Sequence, residues 1–376
     1  MSIKLKAYKF RLYPNKSQEL LLNKTFGCVR YFWNSQVDAF NSYNKETNPN
    51  PIFKTSTQLR NELEWMKEVS AGAIQQKEID FKEYKNQRFS KNRKKSISNP
   101  KFKKKNGNQS YRLPNQKFSI ENNRIKLEKI GKVKIVLDRE LPSNGKFMSV
   151  TISKNPSNQY YASVLMEFDI NELNKTNKSV ALDVGLKEFY TSSDGEVIKN
   201  PRYFRKSQSK LKRLQQRLSK KKKGSVRRRK FKLKVAKLHQ KISNQRDWFL
   251  HQQSIDLIRR YDVIYIEDLN VQGMIKNHKL AKSISDVSFS KFFNMLNYKA
   301  NWYGKQIVTI GRFEPTSKKC SSCGWVKQDL TLKDRIFNCD ECGLSLDRDY
   351  NAALNIFSVG VDAEVKRTQR ETLVSC

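Results

Sequence analysis

Apolar and polar residues alternate in the first half of the chain, and this pattern predicts β-strands interrupted by a long helical stretch. Residues 3–13 alternate apolar with mostly basic residues, the period of a strand with one buried face. Pro14 and Asn15 end this strand, and helical spacing follows to about residue 95. Short strands are predicted again between residues 111 and 170. Their regular spacing is typical of a small barrel, which the first strand can complete.

The second half of the chain has a different pattern, with buried strands separated by helices. Residues 179–185, 261–268 and 306–310 are apolar runs of the length of a buried strand. Residues 201–250 contain 20 Lys and Arg and one acid, and their leucines and isoleucines keep helical spacing around Gly224. We therefore predict a basic helical hairpin there. A solvated helical face or a disordered linker is the alternative.

The net charge indicates which class of molecule the protein binds. The 376 residues include 75 Lys and Arg but only 36 Asp and Glu, which gives a formal net charge of +39 and a pI near 10.0. Nucleic acid is the strongest candidate for the polyanion that such a charge requires. An anionic membrane surface is a weaker candidate, because no basic helix has a clean apolar face. No stretch is apolar enough to span a membrane and the N-terminus has no apolar signal core, so we expect a cytoplasmic protein.

Four of the six cysteines crowd into one short segment. Cys320 and Cys323 form one CxxC pair, and Cys339 and Cys342 form a second pair after a gap of 15 residues. Each pair places two thiolates on a tight turn, and the four together complete a tetrahedral zinc site with no open position. This spacing predicts a structural Zn²⁺ ion. The alternative is four unrelated buried thiols.

Three widely separated carboxylates are candidates for a second metal site. Asp183 lies in a predicted buried strand, Glu267 ends another, and Asp349 precedes a predicted helix at residues 350–357. Mg²⁺ prefers carboxylates together with water and phosphate oxygens, and a pair of ions can promote phosphodiester cleavage. Each acid also has a plainer explanation: a strand-end turn, a solvated loop start and a helix N-cap, respectively. Asp347 competes with Asp349 for the role of cap.

Five segments resemble the motifs of one known family, and the last three together are highly specific. They are residues 6–14 (KAYKFRLYP), 181–186 (ALDVGL), 266–274 (IEDLNVQGM), 317–324 (SKKCSSCG) and 347–356 (DRDYNAALNI). On these motifs the chain resembles the TnpB family, transposon-encoded RNA-guided DNA endonucleases related to type V CRISPR effectors. The resemblance extends over nearly the whole chain.

The resemblance implies an Asp-Glu-Asp centre and a role for each acid. In the family's third motif the catalytic Asp stands two residues before an Asn, which selects Asp349 over Asp347. Asp183 would then bridge two Mg²⁺ ions, and Glu267 would hold one of them and position the attacking water. Asp349 would hold the other ion, near the leaving 3′ oxygen. The family also implies a guide RNA made from the transposon end, a double-stranded DNA target, and the transposase of the same element as a further partner.

The predicted fold class is α+β: an RNase H-like (RuvC-type) nuclease domain with an inserted zinc ribbon, plus a small β-barrel (wedge) domain with a helical insertion. A run of 11 Lys and Arg over residues 82–105 marks the end of the insertion. The expected boundaries are residues 1–13 and 106–175 for the barrel, 14–105 for the helical recognition insertion, 176–318 and 344–360 for the nuclease domain with its hairpin at 201–260, 319–343 for the zinc ribbon, and 361–376 for a flexible tail.

The expected activity is RNA-guided, magnesium-dependent cleavage of double-stranded DNA next to a short target-adjacent motif, in a prokaryotic cell interior at the nucleoid. Three alternatives stay open. One is a catalytically silent, guide-directed DNA-binding protein. Another is a DNA transposase that joins strands itself, although acidic-triad strand transferases usually place their Glu last. The third is a zinc-ribbon nucleic-acid protein that depends on no discrete RNA.

Overall fold

The computed structural model describes residues 2–44, 46–90, 96–312, 314–331 and 334–374, with side chains between residues 3 and 365 of these ranges. The chain divides into two compact units, of which the first is Ser2–Asp169 and the second begins at Ile170. In the described part of the chain, no helix is both long and apolar enough to cross a membrane.

The first unit is built on a seven-stranded sheet that is nearly closed into a barrel. Its strands are β1 (Ser2–Tyr13), β2 (Gln109–Pro114), β3 (Phe118–Glu121), β4 (Arg124–Leu127), β5 (Gly131–Val136), β6 (Lys146–Lys154) and β7 (Tyr160–Ile170). The strand order is β2-β6-β7-β1-β5-β4-β3. The two edge strands are consecutive in the chain, with only the 3-10 helix Asn115–Lys117 between them, so the edges of the sheet come close together.

The helices of the first unit lie between β1 and β2. They are α1 (Lys16–Asn41), α2 (Ser56–Glu62) and α3 (Ala71–Phe89), with the 3-10 helix Glu64–Glu68 before α3. Asn15 caps α1, because its side chain accepts the backbone N–H of Gln18 while the Gln18 side chain accepts the N–H of Asn15. The sequence predicted this order of strand, helices and strands. Residues 91–95 of the basic run that marked the boundary lie outside the described residues.

The second unit contains a five-stranded mixed sheet. Its strands are β8 (Ser179–Val184), β9 (Glu188–Ser192), β10 (Val197–Lys199), β11 (Val263–Glu267) and β12 (Gln306–Ile310). The order is β10-β9-β8-β11-β12, in which β8, β11 and β12 run parallel and β9 and β10 are antiparallel. The three buried strands predicted from the apolar runs are confirmed as β8, β11 and β12.

Helices cover both faces of this sheet. They are α4 (Tyr203–Ser219), α5 (Val226–Arg260), α6 (Val271–Ile275), α7 (Ala281–Val287), α8 (Phe289–Tyr303) and α9 (Arg348–Val374). Leu182 and Ile266 point into one core, with α5 and α8, whereas Ala181 and Tyr265 point to the opposite face and pack near Ile356 of α9. The predicted basic hairpin is confirmed as α4 and α5, which pack through apolar side chains including Leu211, Leu238 and Ile242.

Helix α9 is longer than the sequence predicted. The predicted helix covered residues 350–357 and was followed by a flexible tail at 361–376, but the helix continues to Val374. Tyr265 of β11 donates its hydroxyl proton to Glu364, 2.6 Å away, and this contact holds the helix beyond its predicted end. A contact between residues 99 positions apart leaves no local signal, so residue spacing could not show it. Cys376 lies outside the described residues.

We expect Gly360→Ala to destabilise the second unit. A Cβ atom at Gly360 would overlap the ring of Tyr265. This ring is buried, and its hydroxyl is hydrogen-bonded to Glu364 of α9. Overpacking of this kind costs about 1–3 kcal/mol, and each kcal/mol lowers the thermal midpoint of a unit of this size by about 2–4 °C. Gly27→Ala in α1 is the matched control, because nothing lies within 4 Å of its Cβ. The control should stabilise the protein by up to about 1 kcal/mol. Equal midpoints for the two variants in calorimetry would contradict this packing.

Candidate active site and metal centres

Two of the three predicted acids lie side by side at the carboxyl ends of parallel strands. Strands β8 and β11 are hydrogen-bonded neighbours, with Ile266 opposite Leu182, so the next residues along, Asp183 and Glu267, are adjacent. Side chains alternate between the faces of a sheet. Ala181 and Tyr265 point toward the face covered by α9. Asp183 and Glu267 each lie two residues further along their strands, so they point toward the same face.

The third acid is in the first turn of α9, the helix on that face. Asp347 accepts the backbone N–H groups of Asp349 (2.9 Å) and Tyr350 (3.1 Å), so Asp347 is the N-cap of the helix. The role of cap, which was the alternative explanation for Asp349, is therefore filled by its neighbour. The carboxylate of Asp349 instead accepts hydrogen bonds from the side chain of Arg348, with an Nη2–Oδ1 distance of 3.2 Å.

The electrostatics of Asp183 show that the three acids influence one another. Although Asp183 keeps some solvent exposure, its dense protein surroundings raise its pKa to about 8, and the negative charges of Glu267 and Asp349 act in the same direction. Arg348 opposes this rise in the pKa of Asp183. A carboxylate in such a place is stabilised by a proton or by a cation. The donor set and its electrostatics therefore fit Mg²⁺ ions held by Asp183, Glu267 and Asp349.

The structure also distinguishes Glu267 from the acid next to it. Glu267 accepts a hydrogen bond from the hydroxyl of Thr316, which is buried. Asp268 is exposed and forms an ion pair with Arg312, with an Nη2–Oδ2 distance of 2.6 Å. The two consecutive carboxylates thus have different environments, and only Glu267 lies beside Asp183.

The four cysteines form the tightest group of metal ligands. In the ranges that the structure describes, they are the only group of three or more His, Cys, Asp or Glu side chains whose donor atoms all lie within 4.8 Å of one another. The carboxylates of Asp183, Glu267 and Asp349 are therefore spread more widely than the ligands of a single ion. A centre with two ions about 3.5–4 Å apart requires a wider spread of ligands.

The geometry of the cysteines fits zinc. The Sγ atoms of Cys320 and Cys342 are 3.7 Å apart, and those of Cys323 and Cys339 are 3.6 Å apart. Four sulfurs around one Zn²⁺ ion at about 2.3 Å would be separated by about 3.8 Å. Burial acts to raise the pKa of Cys320, but the backbone N–H groups of Cys323 and Ser322 and the neighbouring thiols lower it to about 7. Thiolate, the form that binds zinc, is thus favoured at this position.

Both cysteine turns end on glycines that the backbone requires. Gly324 and Gly343 have φ angles of +83° and +72°, and each donates its N–H to the carbonyl of the first cysteine of its pair at 3.0 Å. Glycine adopts this left-handed conformation without steric cost. The two glycines therefore allow the tight turns that bring the two sulfurs of each pair together.

A basic cavity of about 610 Å³ lies in the same unit as the acids. Its lining includes the cationic side chains of Lys187, Arg202, Arg205, Lys279, Lys282 and Arg335. The acid in its lining, Asp286, is paired with Arg246 at 3.0 Å. Arg335 is linked to the acidic site, because its carbonyl accepts the N–H of Arg348 at 2.8 Å. Such a surface suits the phosphates of a nucleic-acid strand.

Several residues around the acids were missed by the sequence analysis. Thr316 and Arg348 were not predicted to contact the acids, and Asn351 and Asn355 were not assigned a role. The two asparagines did leave a signal, because they are one helical turn apart in the apolar segment NAALNI. Polar side chains on a buried face of a helix need hydrogen-bond partners.

Three family models match the chain. Residues 161–278 match "Probable transposase" (OrfB/IS605), residues 289–356 match "Cas12f1-like, TNB domain", and residues 1–46 match "Helix-turn-helix domain". In the described part of this last match, Ser2–Tyr13 form the strand β1 and Lys16–Asn41 form one long helix, α1.

Two relatives match almost the full length of the chain. A "Putative RNA-guided DNA endonuclease" of Streptomyces pristinaespiralis is 34% identical over 379 residues, which cover 98% of this chain and 93% of the relative. The protein of the same description called InsQ, from Escherichia coli (strain K12), is 30% identical and covers 95% and 92%. Among solved structures, the cryo-EM complex of Cas12f1 with sgRNA and target DNA matches with a TM-score of 0.54 at 13% identity, covering 94% of this chain and 98% of that one.

The fold and the sites define a mixed α+β protein of the Cas12f1 type, with a near-barrel sheet and a four-cysteine metal site. Within that class, the length and identity of the matches decide the family. The chain belongs to the TnpB (OrfB/IS605) family.

Asp183→Asn should stabilise the metal-free protein at high pH. A carboxyl group whose pKa is raised on folding contributes stability at low pH, and this contribution is lost as the pH rises from about 4 through 8. The thermal midpoint of the variant should therefore exceed that of the wild type at pH 8.5, and the difference should shrink as the pH is lowered toward 4. Millimolar Mg²⁺ should narrow the difference at pH 8.5 by stabilising the wild type. A difference that does not change with pH would contradict the electrostatic description of the site.

Purified protein should contain one zinc ion per chain. Inductively coupled plasma mass spectrometry measures this zinc content. Cys323→Ser removes one of the four converging sulfurs and should lower both the zinc content and the thermal midpoint. Cys28→Ala is the control, because Cys28 is buried in the core of the first unit, among Phe32 and Met66. Its zinc content should stay at one. The same zinc content in both variants would exclude the four-cysteine site.

Proposed function

We propose that this protein is an RNA-guided, magnesium-dependent DNA endonuclease. It would cut double-stranded DNA next to a short target-adjacent motif, directed by a guide RNA made from the end of its transposon. The observation that carries the proposal is the arrangement of Asp183, Glu267 and Asp349, which come from two parallel strands and a helix and share one face of the sheet.

We infer that the second unit is the RNase H-like (RuvC-type) nuclease domain that the family resemblance implies. Antiparallel β10, β9 and β8 are followed by parallel β11 and β12, and the acids lie at the carboxyl ends of β8 and β11. We likewise assign the near-barrel sheet as the expected barrel (wedge) domain, and the helices between β1 and β2 as the expected recognition insertion. We carry these domain assignments as part of the proposal.

Each residue of the centre has a role in the proposed reaction. When bound, Mg²⁺ would supply an activated water and neutralise charge on the leaving oxygen. Asp183, Glu267 and Asp349 would hold the ions, and the charges of the other two acids act on Asp183. The carboxylate of Glu267 accepts a hydrogen bond from the hydroxyl of Thr316, and the carboxylate of Asp349 accepts one from the side chain of Arg348. The cationic cavity beside Arg335 would bind the backbone phosphates of the strand being cut.

The net charge fits a guide RNA as well as a DNA target. The net charge of +39 suits a protein that holds an RNA–DNA hybrid and a displaced strand by their phosphates, while base pairing selects the sequence. The names of the two relatives and the contents of the Cas12f1 complex support the same combination of partners. Two other functions within the family, silent guide-directed binding and strand joining by a transposase, are outcomes of the test.

The test uses protein that is purified with its guide RNA and incubated with plasmid targets in Mg²⁺. Glu267→Gln should lower the cleavage rate by more than about 100-fold, because it removes a ligand, and even residues that only support ligands contribute about 10–100-fold. Asp268→Asn is the matched control, since that neighbouring acid is exposed and paired with Arg312. The control should cleave within about twofold of the wild type.

Four outcomes would overturn the proposal. RNase-treated protein that still cuts the same site would exclude a guide. Wild-type complex that binds its target without nicking it in Mg²⁺ would indicate a silent binder. Recovery of joined strands would indicate a transposase. Equal loss of cleavage in both variants would show that Glu267 has no special role.

A further inference from the structure

Two buried asparagines on α9 hold the segment that enters the zinc ribbon. Asn351 and Asn355 are 0% and 3% exposed and lie one turn apart. Both donate from Nδ2 to the carbonyl of Lys319, at 2.7 and 2.6 Å, and Asn351 also accepts the N–H of Ser321 at 3.0 Å. These contacts lie on either side of Cys320. The first cysteine turn is therefore attached to the helix that carries Asp349.

One of these asparagines, Asn355, reaches the other end of this segment. Asn355 also donates from Nδ2 to the carbonyl of Thr316, at 2.8 Å. Thr316 is only 5% exposed, and its side-chain hydroxyl donates to Oε1 of Glu267. A continuous series of hydrogen bonds thus runs from the cysteine turn through Asn355 and Thr316 to the carboxylate of Glu267.

This series of contacts restrains the most flexible of the three acidic side chains, that of Glu267. Asp183 is set by its position within β8, and Asp349 by the capped first turn of α9, but Glu267 is the last residue of β11 and has a longer, more flexible side chain. A carboxylate with several rotatable bonds loses conformational entropy when it binds an ion. A hydrogen bond that fixes one oxygen beforehand reduces this cost and aims the other oxygen.

We propose that Thr316 is a positioning residue for Glu267, and that the zinc ribbon keeps Thr316 in place through Asn355. This inference rests on the proposed function, because it assigns Glu267 to the divalent-ion site. It gives the ribbon a role beyond folding: the ribbon holds one ligand of the active site in the orientation that binds the ion.

The experiment measures Mn²⁺ binding by electron paramagnetic resonance in the complex of full-length protein and guide RNA, without target DNA. Thr316→Val keeps the shape of the side chain and removes the hydroxyl, so the dissociation constant for Mn²⁺ should rise about 10-fold. Thr316→Ser should restore it to within about twofold of the wild type. Thr309→Val, at an exposed position on β12, is the matched control and should change nothing. Glu267→Gln gives the value expected when the carboxylate is lost.

The link to the ribbon is tested with a double-mutant cycle. Asn355→Ala should weaken Mn²⁺ binding in the same direction as Thr316→Val, and the double variant should be no weaker than the poorer single variant. Fully additive effects would show that the two residues act separately, which would overturn the role of the ribbon. Zinc content and the thermal midpoint are measured for each variant. If Asn355→Ala loses zinc, weakened Mn²⁺ binding supports the link, and unchanged binding overturns it.

Failure of this inference differs from failure of the proposed function. If the wild-type complex cuts DNA in an RNA-dependent way and Thr316→Val binds Mn²⁺ like the wild type, Thr316 does not position Glu267. The endonuclease proposal would still stand. If the wild-type complex never cuts DNA although Mn²⁺ binding depends on Thr316, the positioning role is supported and the proposed function fails.

Discussion

The burial of Asp183 beside two other carboxylates is the constraint on which the second unit depends. The backbone register of β8 and β11 places Asp183 beside Glu267, and α9 brings Asp349 to the same face. Burial raises the pKa of Asp183 to about 8, and the charges of Glu267 and Asp349 add to this rise, so the folded chain without a cation is destabilised when Asp183 is ionised. A protein retains such an arrangement when a bound cation compensates for it, and perturbed carboxylates of this kind are typical of functional sites.

Helix α9 organises the surroundings of these acids. Its first residue pairs with Asp349, its buried asparagines hold the entry to the zinc ribbon, and its later turns pack on Tyr265. The four-cysteine site and the three acids of the proposed Mg²⁺ site are thereby attached to one helix. The four sulfurs form a closed site for a structural ion, whereas the carboxylates can leave positions for water and phosphate oxygens. The difference in ligand type separates the roles of the two centres.

The sequence predicted the parts of this structure that depend on local spacing. Apolar runs located β8, β11 and β12, and the two CxxC pairs located the cysteine cluster, which the structure confirms. Spacing alone could not decide between Asp347 and Asp349, because either residue can cap a helix. The family motif selected Asp349, and the structure shows Asp347 as the cap. The contact between Thr316 and Glu267 could not be predicted, since it joins a loop to a strand 49 positions away. The length of α9 depends likewise on a distant contact, with Tyr265.

The claim that the three acids jointly hold divalent ions can be tested most directly by crystallography with Mn²⁺, whose anomalous scattering locates the ion. Crystals of the complex with guide RNA and target DNA should show two anomalous peaks about 3.5–4 Å apart. Each peak should lie within coordination distance of Asp183 and of one other acid, Glu267 or Asp349. Anomalous peaks found only elsewhere in the complex, with the three carboxylates contacting no ion, would contradict the account.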